Sequence, residues 1–412
     1  MNNVNKRILL ISDAYFGDFS GAYVAQIAKK LLIEIGCTVA VYSDEVTENQ
    51  KEEDGTPIYF RYKCPFFANW IQKKYKKNYQ AVLDDFRPDV VYTLGSVTNK
   101  NIIFWSIARK RGIKVISKIF MQDFFCYNYY ANDENGLCTK CLDNGFKYAL
   151  CKHCVRDTNR GISGFLKKLN ATVNRYRLQK ELIKADAVIT SSQQQVGFYE
   201  RYGIPRDHCY TIPLYFNGDK LNKYVPTMGD YFVFVAQNRI DKGIHLLKDV
   251  LSHCNPDVKV VAAYASQKSI DYALQHYGLQ PYVNNGILEM RNECTWKTNL
   301  GDVIAASRGV INLSIWPSTT EFVLLEVLGL KKPILTFNVG IHPELIKSGI
   351  NGFVADTPEI MGIQINELNQ NDSLYQKVSL GAEQLYRKMT DWDGWKPVSY
   401  THLRAHETGR NL

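Results

Sequence analysis

Short apolar runs rich in β-branched residues alternate with helical segments along most of this chain. In the first half, such runs lie at residues 6–12, 39–43, 89–94 and 114–119. Helix-compatible segments at residues 22–35 and 101–111 follow the first and third runs. Consecutive parallel strands need a crossover, usually a helix, so this alternation predicts a parallel, doubly wound α/β sheet.

The alternation begins again in the second half, which indicates a second domain. The first series ends with runs at residues 187–190 and 210–214, and a second series has runs at residues 231–236, 258–264, 309–313 and 333–337. A chain of 412 residues is long for one core. We expect two Rossmann-like doubly wound domains, residues 1–216 and 230–396, which face each other across a cleft and are joined by a linker of residues 217–229.

The end of the chain differs in character from the rest. Residues 399–408 read SYTHLRAHET, which resembles translated sequencing-adapter read-through. Nothing apolar or periodic in this stretch contradicts that interpretation. Residues 397–412 are therefore predicted to be a non-native, disordered tail.

The net charge and the lengths of the apolar runs bear on the protein's partners and its location in the cell. The net charge is +9 and the pI about 8.8, so nucleic acid, an anionic membrane face or an anionic substrate are candidate partners. Lysines 73, 74, 76 and 77 alternate with aromatic residues at 70, 75 and 79, a pattern that fits either peripheral contact with anionic lipid or an ordinary exposed helix. No apolar run approaches the ~20 residues of a bilayer span, and the N-terminus lacks a signal-peptide pattern. The prediction is a cytoplasmic protein, with possible attachment at the inner membrane face.

Five cysteines cluster within residues 126–158. Cys138 and Cys141 form one C-x-x-C pair, Cys151 and Cys154 form another, and Cys126 lies upstream. Four thiolates at such spacing can surround Zn²⁺ tetrahedrally, and in a cytosolic chain a metal is favoured over disulfides. The pattern predicts a structural zinc site, with free or disulfide-paired cysteines as the alternative. Four thiolates would leave no open coordination position, so no catalytic metal is expected.

A second cluster of informative residues runs from Ser314 to Asp356. It contains hydroxyl side chains at Ser318, Thr319 and Thr320, a helix that carries Glu326, a buried strand and a turn at Gly340. Loops after the carboxyl ends of parallel strands open toward one crevice, where helix N-termini meet phosphates. This stretch is therefore a candidate nucleotide or phosphate site.

This stretch resembles the donor-site signature of the family-4 retaining glycosyltransferases, which have the GT-B fold. The matching positions are Trp316, Leu325, Glu326, Lys332, Pro333, Pro343, Glu344, Leu345, Asn351, Gly352 and Phe353. The family pattern has a first glutamate eight residues before Glu326, where this chain has Ser318; Glu321 falls outside that register. The resemblance covers nearly the whole chain and implies a nucleotide-diphosphate-sugar donor.

The resemblance also implies roles for individual residues of the second domain. Glu326 would bind the ribose hydroxyls, and residues 318–320 would face the diphosphate or sugar. The family motif G-R-x-x-x-x-K-G is matched by Lys242 and Gly243, while Gln237 stands at the arginine position and Arg239 follows two residues later. Lys242, and Arg239 if the loop is reshaped, would stabilise the charge that develops on the leaving diphosphate.

For the first domain, the resemblance points to the acceptor side. Asp123 lies where family members place an acceptor-site motif, and either holds an acceptor or donor-sugar hydroxyl or is a buried structural carboxylate. Gly17 and Gly21 would let the backbone approach the diphosphate, or would only permit a turn. A subgroup of the family carries a cysteine-rich insertion matched by Cys126, Cys138, Cys141 and Cys154. The metal ligands are then either that set or Cys138, Cys141, Cys151 and Cys154.

Together these patterns predict a retaining glycosyltransferase without a catalytic metal. The resemblance implies a glycan or lipid-linked acceptor in bacterial surface polysaccharide synthesis, with the departing phosphate taking the acceptor proton. Two alternatives remain: a GT-B nucleotide-sugar 2-epimerase, and a basic zinc-bearing protein that binds nucleic acid. The second explains the charge and the cysteines but not the donor signature, so no nucleic acid is expected as partner.

Overall fold

The computed structural model describes residues 5–17, 20–62, 71–95, 99–133, 136–151 and 161–396. These residues form two compact units: unit 1, mainly Met1–Ala131 and Thr139–Pro213, and unit 2, mainly Leu214–Trp395. Each unit has a predominantly parallel sheet with connecting helices, which confirms the predicted Rossmann-like α/β class. The predicted tail, residues 397–412, lies outside the described residues.

The first ten strands of the chain form the sheet of unit 1 and one small hairpin. They are β1 (Arg7–Ser12), β2 (Thr38–Ser43), β3 (Gln50–Lys51), β4 (Pro57–Phe60), β5 (Val90–Gly95), β6 (Lys114–Ile119), β7 (Asn132–Asp133), β8 (Gly136–Leu137), β9 (Ala187–Thr190) and β10 (Cys209–Thr211). The sheet order is β10-β9-β6-β5-β1-β2-β4-β3, and only the β3–β4 pair is antiparallel. The strands β7 and β8 pair as a separate hairpin.

Helices cover this sheet. They are α1 (Ser20–Glu34), α2 (Ile71–Phe86), α3 (Asn99–Lys110), α4 (Lys140–Asp143), α5 (Tyr148–Cys151), α6 (Gly161–Leu182) and α7 (Gln193–Tyr202). The end of α1 follows the sequence prediction: Gly36 has φ 90° and its N–H bonds to Ile33 O at 2.9 Å. Among the described helices, none combines the length and apolarity that a bilayer crossing requires.

Helix α2 corrects one prediction. Tyr75 and Tyr79 are buried, and the Tyr79 ring packs on Phe104 with a centroid distance of 4.7 Å. The four lysines of α2 are exposed. Basic and aromatic residues therefore do not share an exposed face at these positions, and the prediction of such a mixed surface is wrong for Tyr75 and Tyr79. Membrane contact through the lysines alone stays a prediction.

The six strands of unit 2 form one parallel sheet. They are β11 (Phe232–Val235), β12 (Val260–Ala263), β13 (Leu288–Arg291), β14 (Gly309–Asn312), β15 (Ile334–Phe337) and β16 (Phe353–Ala355). The order is β13-β12-β11-β14-β15-β16, with every pair parallel. This is the doubly wound order in which the chain reverses direction between the first and fourth strands, here β11 and β14.

Eight α-helices are described in unit 2, and the two that matter most for the site are short. They are α8 (Leu247–Leu251), α9 (Gln267–His276), α10 (Gln280–Asn284), α11 (Leu300–Ala305), α12 (Phe322–Gly329), α13 (His342–Leu345), α14 (Pro358–Gln370) and α15 (Asp372–Thr390). Helix α12 follows β14 and α13 follows β15, so both begin at the carboxyl edge of the sheet. Ligands of doubly wound sheets bind at this edge, beside the switch point.

Candidate functional site

Three loops meet at the carboxyl edge of the unit 2 sheet. They follow β11, β14 and β15, which are neighbours in the sheet. The carbonyl of Asp241, in the first loop, accepts the backbone N–H of Ile315 at 3.1 Å in the second. The carbonyl of Ser318, in the second loop, accepts the N–H of Ile341 at 2.9 Å in the third. Backbone hydrogen bonds thus fix the loops to one another.

Two glycines allow this close packing. Gly243 has φ 71°, and a Cβ there would lie 1.8 Å from the carbonyl oxygen of Leu313. Gly340 has φ 59°, and a Cβ there would lie 2.5 Å from the carbonyl oxygen of Ser318. Any side chain would push the loops apart, because both close contacts are with backbone atoms. The local sequence therefore determines how closely the three loops approach.

A buried carboxylate, Glu321, connects side chains from all three loops. Its Oε1 accepts a hydrogen bond from Lys242 Nζ at 2.6 Å, and its Oε2 lies 2.5 Å from His342 Nε2. Asn312 at the end of β14 donates to Oε2 from 3.4 Å. Glu321 is 8% exposed and His342 is fully buried. The arrangement is an ion pair extended by a histidine, with the lysine as its more exposed member.

The charges of this cluster follow from its geometry. Burial alone would raise the pKa of Glu321, but the Lys242 ammonium and the hydrogen bond from His342 outweigh it and hold that pKa well below its usual range. An ionised carboxylate only accepts hydrogen bonds, so Nε2 of His342 must carry a proton. The other ring nitrogen lies 2.7 Å from the Thr336 hydroxyl. The ring is thus held from both sides.

The place of Glu321 in this cluster was not predicted from the sequence. Ser318, which stands at the family's first-glutamate position, is buried and donates its hydroxyl to the Thr320 carbonyl at 2.6 Å. Thr319 is also buried, whereas Thr320 is partly exposed. Ligand contacts from residues 318–320 stay a prediction. One feature of the sequence could have identified Glu321: it is the only carboxylate in the loop between β14 and α12, and it directly precedes α12.

The loop after β11 presents the two predicted cations. The Lys242 side chain is 20% exposed, and its Nζ lies 5.3 Å from the centre of the Trp316 ring. Arg239 bonds the buried carboxylate of Asp241 through Nε at 3.2 Å and Nη2 at 2.6 Å, while its side chain is 43% exposed. Gln237 is exposed and its carbonyl accepts the Arg239 N–H at 2.8 Å. Both cations are thus held by buried carboxylates.

The predicted ribose ligand, Glu326, is buried within α12. Its Oε1 forms an ion pair with Lys220, and the Trp296 side chain also hydrogen-bonds to it. Burial raises the pKa of Glu326, while Lys220 and Trp296 act against that rise. Lys220 Nζ lies 4.7 Å from the centre of the Trp296 ring. Lys220 comes from a 3₁₀ turn, Asp219–Leu221, within the predicted linker, and was not anticipated from the sequence.

In unit 1, helix α1 begins at Ser20, two residues earlier than the helical segment predicted from the sequence. Gly17 has φ 95° and lies in the turn before α1, whereas Gly21 lies in the first turn of the helix. The backbone N–H groups of Tyr15 and Phe16 donate to Oε2 of Glu45 at 2.6 and 3.0 Å. Whether Gly17 and Gly21 approach a diphosphate stays a prediction.

Asp123 lies in the turn after β6 and is 4% exposed. Burial raises the pKa of the neighbouring Tyr199 and Tyr202, and the charge of Asp123 adds to that effect. The adjacent Gln122 is also buried and donates to Gln195 at 3.2 Å. Burial fits both a structural carboxylate and a hydroxyl-binding one, so both roles of Asp123 stay predictions.

The cysteine-rich segment is described only in part. Cys126 and Cys141 are buried in the core of unit 1, and Cys138 follows the β7–β8 hairpin. The side chain of Cys151 and all of Cys154 lie outside the described residues. Within the described ranges, no group of three or more His, Cys, Asp or Glu side chains is arranged to hold a metal ion. Both predicted ligand sets include Cys154, so the zinc site stays a prediction.

Comparison with solved structures identifies the fold of this chain. No protein-family model matches the sequence, and no curated protein matches it significantly. Among solved structures, the Anabaena protein HepE in complex with UDP is 14% identical, with a TM-score of 0.65 over 97% of this chain and 100% of that one. Sucrose-phosphate synthase from Thermosynechococcus elongatus is 12% identical, with a TM-score of 0.65 over 98% and 100%. WaaG, a glycosyltransferase involved in lipopolysaccharide biosynthesis, is 13% identical, with a TM-score of 0.58 over 96% and 98%. At these identities the likeness establishes the fold, and this chain has the GT-B fold.

Proposed function

We propose that this protein is a retaining glycosyltransferase of the family-4 type that uses a nucleotide-diphosphate sugar. The observation that carries the proposal is the ion pair of Lys242 and Glu321 at the switch point of the unit 2 sheet. Breaking the bond between a sugar and a nucleoside diphosphate builds negative charge on the β-phosphate. A fixed ammonium at the phosphate-binding edge of the sheet lowers the free energy of that charge.

Lys242 is suited to this role because its position is set before any ligand arrives. Glu321 holds the ammonium at 2.6 Å, and His342 holds Glu321 from the other side. Glu321 is thus a positioning residue in this proposal. Arg239 adds a second cation in the same loop, also held by a carboxylate. These two side chains supply the positive charge that other transferases take from a bound metal.

The nucleoside end of the donor is assigned to Glu326. A carboxylate can accept hydrogen bonds from both ribose hydroxyls. The Lys220 ammonium favours the ionised, acceptor form of Glu326 against the effect of burial. The solved structures of HepE with UDP and with UDP-glucose support a uridine nucleotide as the first donor to try.

The acceptor is assigned to unit 1, as the family resemblance implies. We propose a glycan or lipid-linked acceptor in bacterial surface polysaccharide synthesis. Two neighbours in fold support this class: WaaG, a glycosyltransferase involved in lipopolysaccharide biosynthesis, and WaaB, a lipopolysaccharide outer core galactosyltransferase. A structural zinc held by cysteines of the 126–158 segment remains part of the proposal, and metal analysis of the purified protein tests it separately.

The test is a thermal-shift screen against nucleotide-diphosphate sugars, followed by a transfer assay with the ligand that binds. A ligand at 100 times its Kd adds about 2.7 kcal/mol to the free energy of unfolding, which a melting curve resolves. We expect a shift with wild type and with Lys248→Met, which removes an exposed lysine of unit 2, and a much smaller one with Lys242→Met. Retention is checked from the anomeric configuration of the product by NMR. The proposal fails if no nucleotide sugar shifts the melting temperature while RNA does.

A further inference from the structure

Helix α6 of unit 1 presents a row of large apolar side chains to solvent. The exposed fractions are 83% for Ile162, 52% for Phe165, 57% for Leu166, 40% for Leu169, 41% for Val173 and 40% for Tyr176. Their spacing of three and four residues places all six on one face of the helix. We call this face, defined by those six residues, the α6 apolar face. It extends over about four helical turns.

The opposite face of α6 makes this exposure unusual. Over the first three turns, the buried residues are Gly164, Lys168 and Thr172, and large apolar residues, Leu178 and Leu182, are buried only near the end. A surface helix ordinarily turns its apolar residues to the core and its polar residues to water. Here that order is reversed. A contiguous exposed apolar row of this kind marks an interaction surface.

The charges around the α6 apolar face indicate which partner fits it. From Gly161 to Lys180 the helix contains no acidic residue. Arg177 and Lys180 are exposed, and Lys167 is partly exposed. A second copy of the chain that docked through this face would bring the same cations close together, and the one acidic residue of α6, Glu181, is already paired with Arg109. An anionic bilayer surface satisfies both features, because it offers acyl chains to the apolar side chains and negative headgroups to the cations.

We propose that α6 lies in the interface of an anionic membrane, with Ile162, Phe165, Leu166 and Leu169 inserted among the lipids. The lysines of α2 are the rival surface, and a variant of α2 is tested beside those of α6. This inference goes beyond the proposed function and does not depend on it, since lipid binding is measured without any sugar donor.

The experiment is vesicle co-sedimentation of the full chain. Vesicles of phosphatidylcholine alone are compared with vesicles that also contain phosphatidylglycerol, at low and high salt. Wild type is expected to bind the anionic vesicles, and to bind more weakly as salt rises. The triple variant Ile162→Ser/Phe165→Ser/Leu169→Ser is expected to lose at least about tenfold in affinity, since three apolar contacts with lipid are removed.

Three further variants make the result specific. Arg177→Gln/Lys180→Gln keeps the apolar face and is expected to lose the preference for anionic vesicles. Val225→Ser/Ile363→Ser/Leu380→Ser removes exposed apolar side chains of unit 2, which are 79%, 55% and 56% exposed, and is expected to bind as wild type does. Lys73→Gln/Lys76→Gln/Lys77→Gln tests the lysines of α2. Melting temperatures confirm that each variant is folded.

Several outcomes would overturn the inference. One is a wild-type protein that binds neither kind of vesicle. Another is a folded α6 triple variant that binds like wild type while the α2 lysine variant does not. A third is a wild-type dimer in solution that the α6 triple variant converts to a monomer without any vesicle binding, because the face would then serve a second copy of the chain.

Discussion

Lys242 and Glu321 come from different loops, and the ammonium nitrogen of one lies 2.6 Å from a carboxylate oxygen of the other. The second carboxylate oxygen is bound by His342, so Glu321 cannot turn away from the lysine without breaking that contact. A cation held in this way needs little reorganisation when a phosphate arrives. Such preorganised charge is the largest contribution to catalysis in many enzymes.

Removal of the carboxylate tests this positioning. Glu321→Gln keeps the shape of the side chain but leaves Lys242 without its counter-charge. We expect kcat/KM for transfer to fall about 10²-fold, the size seen when one preorganised electrostatic contact is lost. Steady-state kinetics with the best donor measure the change. Glu359→Gln, an exposed carboxylate of α14, is the control and should keep wild-type rates.

The ion pair also contributes to stability as a unit. Lys242→Met strands a buried carboxylate, and Glu321→Gln strands a lysine that is only 20% exposed. Each single variant is expected to lower the free energy of unfolding by about 2–4 kcal/mol, and the double variant by less than the sum. Urea unfolding of all four proteins gives the coupling energy. If the loss in the double variant equalled the sum of the two single losses, the two side chains would not interact.

Gly340 tests the contact between the loops. Gly340→Ala places a Cβ 2.5 Å from a backbone oxygen, whereas Gly349→Ala meets nothing within 4 Å. Both glycines have positive φ, 59° and 70°, so the cost of backbone strain, about 1–2 kcal/mol, is shared. Gly340→Ala is expected to cost at least about 2 kcal/mol more and to weaken donor binding. If the two variants lost equal free energy of unfolding, the close contact at Gly340 would contribute nothing to stability.

The fold was predictable to a large extent, for a physical reason. Parallel strands covered on both faces are continuous apolar runs, and β6 and β9 begin and end where those runs do. Short edge strands such as β3 and β16 were not predicted, because two or three residues carry too little periodicity. Helix α6 shows another limit: periodicity locates an apolar face but does not say whether the core covers it.

The arrangement of the candidate site was predictable only in part. Lys242 and Glu326 were predicted from motif positions, which depend on spacing along the chain, and their ligand-binding roles stay predictions. Glu321 was missed because its loop departs from the family's register, and only the folded loops bring it to Lys242. Lys220 was missed because it belongs to a different segment, 106 positions from Glu326. Contacts between distant segments depend on loop geometry that residue spacing does not determine.

A buried lysine gives a prediction on pH. Lys118 in β6 is 6% exposed, and burial lowers its pKa from 10.5 to about 8. Below pH 8 the folded protein carries a buried charge at full cost, and the cost disappears as pH rises toward 10.5, so this group makes stability increase over that window. Lys118→Met should raise the free energy of unfolding by about 2–3 kcal/mol at neutral pH.

The gain from Lys118→Met should shrink as pH rises from about 8 and should approach zero only above pH 10.5, where the lysine is neutral in both the folded and the unfolded state. Urea unfolding of wild type and variant across this pH range measures the difference between their free energies of unfolding. Tyrosines that titrate in this range affect both proteins equally, so their effect cancels in the difference. If the gain in the free energy of unfolding did not change with pH, it would come from packing and not from the removal of a charge.

Lys220 is expected to control how donor binding depends on pH. Burial raises the pKa of Glu326, and the Lys220 ammonium limits that rise. In Lys220→Ala the carboxylate should therefore take up a proton at higher pH, and its protonated oxygen then donates a hydrogen bond instead of accepting one from a ribose hydroxyl. UDP affinity of the variant should fall more steeply than that of wild type as the pH is lowered from neutral. If the UDP affinities of variant and wild type depended on pH in the same way, Lys220 would not act on donor binding through Glu326.

The proposed function depends above all on binding of the donor's diphosphate by Lys242. Isothermal titration of UDP and of uridine, each into wild type and Lys242→Met, measures that contribution. Wild type is expected to bind UDP at least about tenfold more tightly than uridine, and Lys242→Met is expected to lose most of this difference while its affinity for uridine is unchanged. If Lys242→Met preferred UDP over uridine as strongly as wild type does, Lys242 would not bind the diphosphate.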